Sequence, residues 1–254
     1  MSHELLTARL NAYAVLKNLE DLVVHDREMA LFTKDWNIAI RFFVLNGPDA
    51  FVEFDSGKCR VGKGGGEKKS SVILFFHSPA HFNKMMDGKA SPVPVKGFTK
   101  LRFLTKEFSV LTEKLEYYLK PNADLLADPK WVALNTRMTL TTAVWSIPEL
   151  AELDPVANIL SSHMGKGSIS LGILPDGPKV NLTVNKDSIV PAKGEIKAPA
   201  AAMTMKDMTV ANDFLNGRLD AFTAIATGDV SIRGQIPMVD TLSLMLDRIA
   251  LYLS

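Results

Sequence analysis

Asp87-Gly88-Lys89 and Asn46-Gly47-Pro48 each recur, with conservative changes, about 130 residues further along the chain. Their counterparts are Asn216-Gly217-Arg218 and Asp176-Gly177-Pro178, in the same order. Solenoid repeats have units of about 20–50 residues, so a period this long indicates two whole domains. The fold is therefore predicted to be one domain pattern used twice.

Two longer passages extend the repeat toward the end of each copy. Gly97-Phe98-Thr99-Lys100-Leu101 is aligned with Gly228-Asp229-Val230-Ser231-Ile232, which predicts a strand in both copies. The closing segments LEYYL, at 115–119, and IALYL, at 249–253, also match. Two prolines, at 121 and 129, lie in the join. We expect a first domain over 1–120, a linker over 121–130 and a second domain over 131–254.

The composition is that of an ordinary globular protein. Among the 254 residues, 29 basic side chains balance 28 acidic ones, so no net charge attracts nucleic acid. The single cysteine, Cys59, cannot form an intrachain disulfide, which favours a reducing, cytoplasmic location. No stretch reaches the roughly 18 apolar residues of a membrane span, and the first residues lack a signal-peptide pattern. We expect no transmembrane segment, while transient contact with a membrane or a protein stays open.

Hydrophobic periodicity predicts the order helix, antiparallel meander, helix, strand, helix in each copy. Hairpin-length turns rule out parallel crossovers among the first three strands. The fold class is therefore α+β, with helices covering one face of a sheet. Prolines at 148 and 155 are expected to break the helical stretch 132–163. The predicted strands are 37–45, 51–54, 58–61, 72–76 and 100–104, then 168–174, 179–184, 188–190, 202–206 and 229–233.

The glycine-rich stretch from Gly62 to Ser70 has the composition of a phosphate-binding loop but not its pattern. Glu67 occupies the position of the last glycine, Lys69 separates Lys68 from the serine, and a strand follows instead of a helix. A flexible basic hairpin loop is the better interpretation.

Catalytic and metal sites find little support in the sequence. His77 and His81 have the spacing of two helical metal ligands, but Ser78-Pro79 begins a helix between them and no third ligand is near. Cys59 has no histidine neighbour, and no serine lies in a nucleophile elbow. We therefore predict no catalytic residue, no metal and no cofactor, and we expect a protein that is not an enzyme.

Three passages of the second copy resemble the sterol carrier protein-2 family. They are Met203-Thr204-Met205-Lys206-Asp207, the segment FLNGRLD at 214–220, and the segment ATGDVSIRG at 226–234. The first copy resembles the family more distantly: it keeps Phe75-Phe76, Phe82 and Asp87-Gly88-Lys89 but has Phe103 where the strand-closing glycine belongs.

The resemblance implies two sterol-carrier-like domains, each a mainly antiparallel five-stranded sheet with helices on one side and an apolar cavity. The function it implies is binding or carriage of a small hydrophobic ligand: a fatty acid or fatty acyl group, acyl-CoA, an isoprenoid or a sterol-like molecule. The cavity of the second copy is expected between the helix at 207–215 and the final helix. Its predicted lining residues are Phe214, Phe222, Ile225, Leu242, Met245, Leu246 and Ile249, and those of the first copy are Phe82, Met85, Phe108, Leu111 and Leu115.

Two alternatives stay open. A structural or regulatory module would have the same repeat but a core filled by its own side chains, whereas a pocket of at least about 300 Å³ favours a ligand. An enzyme acting on a lipid held in the cavity would need a titratable group at its mouth, for which His77 and His81 are the candidates.

Overall fold

The computed structural model describes residues 3–120 and 122–253, so Met1, Ser2, Pro121 and Ser254 lie outside the described part. The described residues form two compact units that divide after Lys120. The first unit contains α1 (His3–Leu10), α2 (Leu19–His25), α3 (Arg27–Thr33), β1 (Asn37–Val44), β2 (Asp49–Asp55), β3 (Lys58–Lys63), β4 (Val72–Phe76), α4 (Pro79–Met86), β5 (Val93–Lys96), α5 (Leu101–Phe103) and α6 (Ser109–Leu119). A π-helical turn and a 3₁₀ turn join α1 to α2, and a second π-helical turn joins α5 to α6.

The second unit has the same order of strands, with helices before the first strand, after the fourth and after the fifth, and an additional short helix before the fifth strand. It contains α7 (Pro129–Leu153), α8 (Pro155–His163), β6 (Gly167–Ile173), β7 (Lys179–Val184), β8 (Ile189–Lys193), β9 (Ala201–Met205), α9 (Met208–Leu215), α10 (Ala221–Ala226), β10 (Val230–Gly234) and α11 (Ile236–Leu246). Helix α7 begins two residues before the boundary expected from the sequence.

The two five-stranded sheets share one topology. Their strand orders are β3-β2-β1-β4-β5 and β10-β9-β6-β7-β8, which are the same order when each unit is counted from its own first strand. In each sheet the first and fourth strands pair in parallel and the other pairs are antiparallel. The predicted α+β class with mainly antiparallel sheets is confirmed.

Helices cover one face of the first sheet because alternate residues of its strands are apolar and point inward. Phe42 and Phe76 lie on this inner face, and both make edge-to-face contacts with Phe82 of α4, at centroid distances of 6.3 and 5.0 Å. Phe54, on the same face, meets Phe108 at the start of α6, at 6.4 Å. The core of this unit therefore lies between the inner sheet face and the helices.

In both units a buried asparagine joins the helix after the fourth strand to the first helical segment, which in the first unit is the π-helical turn that follows α1. In the first unit, Nδ2 of Asn11 donates to Oδ1 of Asn83 at 3.2 Å. In the second, Nδ2 of Asn212 lies 2.7 Å from Oδ1 of Asn135 and 2.8 Å from Oγ1 of Thr136. A buried amide without partners is costly, so these bonds specify how the two helices pack.

Two predictions from the sequence are wrong. Residues 100–104 are helical, and the fifth strand of the first sheet is β5, which precedes Gly97. The alignment matched glycines, but left-handed Gly97 (φ 88°) begins a helical turn here. Pro148 does not break α7 either. Its neighbours Ile147 and Leu150 are fully buried, and this packing outweighs the roughly 3 kcal/mol cost of an internal proline.

The glycine-rich loop is anchored to the sheet by Glu53. The Glu53 carboxylate accepts hydrogen bonds from the backbone N–H of Lys68 (3.0 Å) and from Arg60 (2.8 Å). Arg60 also bonds Glu67 within the loop, at 2.6 Å. Gly66 has φ +75°, and a Cβ atom there would lie 2.1 Å from Glu53 Oε1. A glycine is therefore required where the loop crosses the carboxylate. This requirement explains part of the glycine-rich composition of the loop, and a phosphate-binding role is not needed to explain it.

Within 3–120 and 122–253, no helix combines the length and the hydropathy of a membrane span.

Candidate ligand-binding site

A pocket of about 440 Å³, widely open to solvent, lies in the second unit between the end of α8 and the start of α11. Helix α11 packs against α7 and α8 and against strands β9 and β10, so one wall of the pocket belongs to the helical layer and the other to the sheet edge. Its lining residues are His163, Gly165, Gly234, Gln235, Ile236, Pro237, Met238 and Thr241.

The backbone between β10 and α11 gives the pocket its shape. Gly234 has φ +82°, and a Cβ atom there would lie 2.2 Å from the carbonyl oxygen of Ala200. The next residue, Gln235, donates its backbone N–H to that same carbonyl at 2.9 Å. Pro237 then lies in the first turn of α11, where a missing N–H costs nothing. Only glycine allows this close approach, so the chain turns sharply and leaves a recess beside Met238.

Three polar side chains line the pocket: His163, Gln235 and Thr241. Nδ1 of His163 lies 2.8 Å from the carbonyl oxygen of Ile159, which can only accept, so Nδ1 carries the proton. In the neutral ring Nε2 is then an acceptor. The Thr241 hydroxyl donates to the carbonyl oxygen of Pro237 at 2.9 Å and keeps its lone pairs available. The side-chain amide of Gln235 adds both a donor and an acceptor, and none of the described Lys, Arg, Asp or Glu side chains lines the pocket.

A buried carboxylate holds α8 and the segment after α11 together. Asp154 caps α8 through the backbone N–H groups of Val156 and Ala157. Its two oxygens also accept hydrogen bonds from Arg248 Nε (2.6 Å) and Nη2 (2.7 Å), and Oδ2 accepts one from the Tyr252 hydroxyl (2.6 Å). Burial opposes ionisation, but the bonds from Arg248, Tyr252 and Ala157 outweigh it and lower the pKa of Asp154 to about 2. This group of Asp154, Arg248 and Tyr252, the Asp154 clamp, fixes the two helices that border the pocket.

The first unit contains the same arrangement of a capping aspartate, a tyrosine and a cation, but its ion pair is weaker. Asp26 caps α3 and accepts a hydrogen bond from the Tyr118 hydroxyl at 2.8 Å. Lys114, four residues before that tyrosine, lies 3.9 Å from Asp26 and 3.0 Å from Glu28. The matching closing segments of the repeat supply these residues, but nothing in the sequence pairs them with an aspartate far upstream.

The predicted lining residues of the second copy occupy three different environments, and none borders the pocket. Leu242 and Met245 are fully buried on the inner face of α11. Phe214, Leu246 and Ile249 are half-buried. Phe222 is 85% exposed and Ile225 is 46% exposed on α10, so neither encloses a cavity in this structure. Phe222 and Ile225 were predicted to line the cavity, but this helix of six residues turns only Ala224 into the core.

The predicted lining residues of the first copy lie in the packed interior. Phe82 and Leu111 are fully buried, Leu115 and Phe108 nearly so, and Met85 is half-buried. Their rings fall into two separate clusters, since Phe82 contacts Phe42 and Phe76 whereas Phe108 contacts Phe54 and Phe103. Each of the two rings packs against its own neighbours, so both fill space in the interior.

His77 and His81 come together, but His81 has no free nitrogen. The rings stack with centroids 5.2 Å apart. Nδ1 of His81 accepts the backbone N–H of His77 at 3.3 Å, so Nε2 carries the proton and donates to the Ser91 carbonyl at 3.0 Å. His81 therefore acts as a structural link between β4, α4 and the segment that leads to β5. No group of three or more metal-ligating side chains occurs among the described residues.

Comparison with known proteins finds similarity at the level of solved structures. No protein-family model and no curated protein matches the chain. Sterol carrier protein 2 like 2 from Aedes aegypti is 14% identical, with 42% of this chain and 95% of that chain covered and a TM-score of 0.31. Sterol carrier protein domain 2 of Helicoverpa armigera is 16% identical, with coverages of 44% and 88% and a TM-score of 0.33.

A different protein also matches. The sec-alkylsulfatase Pisa1 from Pseudomonas is 13% identical, with a TM-score of 0.27, and the match spans 56% of this chain but only 28% of the sulfatase.

Proposed function

We propose that this protein binds and carries a small hydrophobic ligand, and that the second unit holds it. The observation that carries the proposal is the pocket beside Met238. Its volume of about 440 Å³ lies within the roughly 300–1,000 Å³ of small-molecule sites. Ile236, Pro237 and Met238 give it an apolar wall. The single cysteine, Cys59, supports a reducing compartment as the place of action.

The polar groups of the pocket favour a ligand with a neutral, hydrogen-bond-donating head. A hydroxyl can donate a hydrogen bond to Nε2 of His163 or to the Thr241 oxygen. An ionised carboxylate has only acceptor atoms, so it can donate to neither group. The pocket also lacks the Lys or Arg that would pair with a carboxylate or a phosphate. Among the candidate ligands, we therefore place hydroxyl-bearing sterol-like or isoprenoid molecules ahead of free fatty acids and acyl-CoA.

A non-catalytic structural role is the second candidate for the first unit alone. Phe82 and Leu111, the centre of its predicted cavity, are fully buried and in contact with neighbouring side chains. This packing supports a filled core in the first unit beside a ligand-binding second unit. The Ser162 hydroxyl lies 3.2 Å from Nδ1 of His163, but this nitrogen donates to the Ile159 carbonyl and cannot take the serine proton, so we propose a carrier and not an enzyme.

Two measurements test the carrier proposal. Native mass spectrometry of protein purified from its own cells is expected to reveal a bound apolar molecule. A fluorescent long-chain alcohol is expected to bind with a Kd below about 10 µM and more tightly than the fatty acid of equal length. The substitution Thr241→Phe fills the pocket and is expected to weaken binding at least tenfold. Leu244→Phe, on the exposed side of the same helix, is the matched control.

The outcomes separate the parts of the proposal. If no ligand co-purifies and neither probe binds, the carrier function is wrong. If the probes bind but Thr241→Phe has no effect, the ligand lies elsewhere and the pocket assignment is wrong. If the fatty acid binds as tightly as the alcohol, the preference for a neutral head is wrong.

A further inference from the structure

His163 is the only histidine in the sequence of the second unit, and it lines the pocket. The other four of the five histidines belong to the first unit: His3, His25, His77 and His81. Histidine is the side-chain type that normally gains or loses a proton between pH 5 and 8. A change of pH within this range therefore acts on the second unit through a group in the wall of the pocket.

The hydrogen bonds of His163 determine which nitrogen takes the additional proton. Nδ1 lies 2.8 Å from the Ile159 carbonyl oxygen and 3.2 Å from the Ser162 hydroxyl, which donates its own proton to that carbonyl at 2.7 Å. Nδ1 is a donor in this arrangement, and it remains a donor in the cationic ring, so protonation preserves these contacts and the orientation of the ring. The additional proton goes to Nε2, which changes from an acceptor to a donor.

We propose that protonation of His163 switches the head group that the pocket selects, from a hydrogen-bond donor at the neutral ring to an anion at the cationic ring. This inference rests on the carrier function proposed above and adds regulation of the same site by pH. An anionic head, such as a carboxylate or a sulfate, gains both a donor and an opposite charge when Nε2 is protonated. An alcohol donates to the neutral ring and accepts from the cationic ring, so its affinity changes little.

The other charged groups around α8 are of types that keep their charge over this range of pH. Helices α7 and α11 pack against α8. Besides the Asp154 clamp, the charged residues in the last turns of α7, on α11 and next to the lining residues in the chain are Glu149, Glu152, Lys166, Arg233 and Asp240. Carboxylates normally titrate at about pH 4 and lysine and arginine above about pH 10. A comparison between pH 5.5 and pH 8 therefore isolates the histidine.

Binding of decanol and decyl sulfate to the full chain at pH 8 and pH 5.5, in competition with a fluorescent long-chain alcohol, tests the switch. The two probes have the same chain length, and the sulfate ester stays ionised at both pH values, whereas a fatty acid would itself titrate. The ratio of the decyl sulfate Kd to the decanol Kd is expected to fall at least about tenfold between pH 8 and pH 5.5.

Two glutamine variants separate His163 from the general charge of the protein. His163→Gln keeps an uncharged polar group at the pocket and is expected to reduce the change in this ratio to less than about twofold. His25→Gln removes an exposed histidine of the first unit and is the matched control. It is expected to retain the full change of the wild-type protein.

The outcomes distinguish the switch from the carrier function. If neither probe binds at either pH, the carrier function is wrong and the switch with it. Binding with an unchanged ratio overturns the switch alone, as does a change that persists in His163→Gln. Long-range ¹H–¹⁵N spectra of the imidazole groups give a test that needs neither a ligand nor a variant. They are expected to show Nδ1 of His163 protonated at both pH values, and a neutral ring that carries its proton on Nε2 at pH 8 overturns the proposal.

Discussion

Replacing Asp154 with asparagine tests how the second unit is held together. Asparagine has nearly the same volume and remains a good N-cap for α8. It lacks the negative charge that accepts hydrogen bonds from Arg248 and Tyr252. The Arg248 guanidinium then loses its ion-pair partner in a largely buried position. We expect the substitution to destabilise the second unit, and to do so in a pH-dependent way.

The size of the expected loss of unfolding free energy follows from the pKa of the Asp154 carboxyl group. The pKa of Asp154 is about 2 in the folded protein, against an ordinary value of 3.8. At 1.36 kcal/mol per pKa unit, the ionised carboxylate contributes about 2.5 kcal/mol to the free energy of unfolding at neutral pH. Because the folded pKa is the lower one, this stabilisation is complete above the unfolded pKa and is lost as the pH falls through the folded pKa. About half of it remains at pH 3.

Urea unfolding at pH 6 and pH 3 measures this difference, with hydrogen exchange of peptides from α8 and α11 reporting on the second unit. Asp154→Asn is expected to cost about 2.5 kcal/mol at pH 6 and about half as much at pH 3. Asp187→Asn removes the same charge at an exposed turn and is expected to have little effect at either pH. An equal loss at both pH values for Asp154→Asn would show that the ionised carboxylate is not the source of the stability.

Three further substitutions address other parts of the fold. Asn212→Leu removes the buried amide that donates to Asn135 and Thr136 and is expected to cost about 1–3 kcal/mol of unfolding free energy in urea. A loss below about 0.5 kcal/mol would contradict the role of the buried amide. Gly66→Ala forces a Cβ atom onto Glu53 and is expected to speed limited proteolysis in the loop at 62–70, with unchanged cleavage refuting the proposed anchor. Leu111→Ala empties a fully buried site and is expected to cost about 2–5 kcal/mol, unless a cavity already adjoins it.

Local patterns of the sequence predict much of the architecture. Alternating apolar residues such as those of β1 and β4 identify strands because successive side chains point to opposite faces. Ser78 and Pro79 mark the start of α4 because an N-cap and a proline at N1 satisfy local backbone geometry. The repeat itself predicts two similar sheets. These features depend on neighbours in sequence, and the sequence alone was therefore sufficient for the fold class.

Features that depend on contacts between residues far apart in the sequence were decided only by the tertiary structure. The helix through Pro148 continues because buried side chains on both sides of it compensate the lost bond. The pocket and the exposure of Phe222 each depend on which elements cover a face, and periodicity does not encode this. Asp154 and Arg248 are 94 positions apart and meet only when α8 and the end of α11 pack together. A hydrogen bond acts over about 3 Å in space whatever its separation along the chain, so only the folded arrangement could identify this clamp.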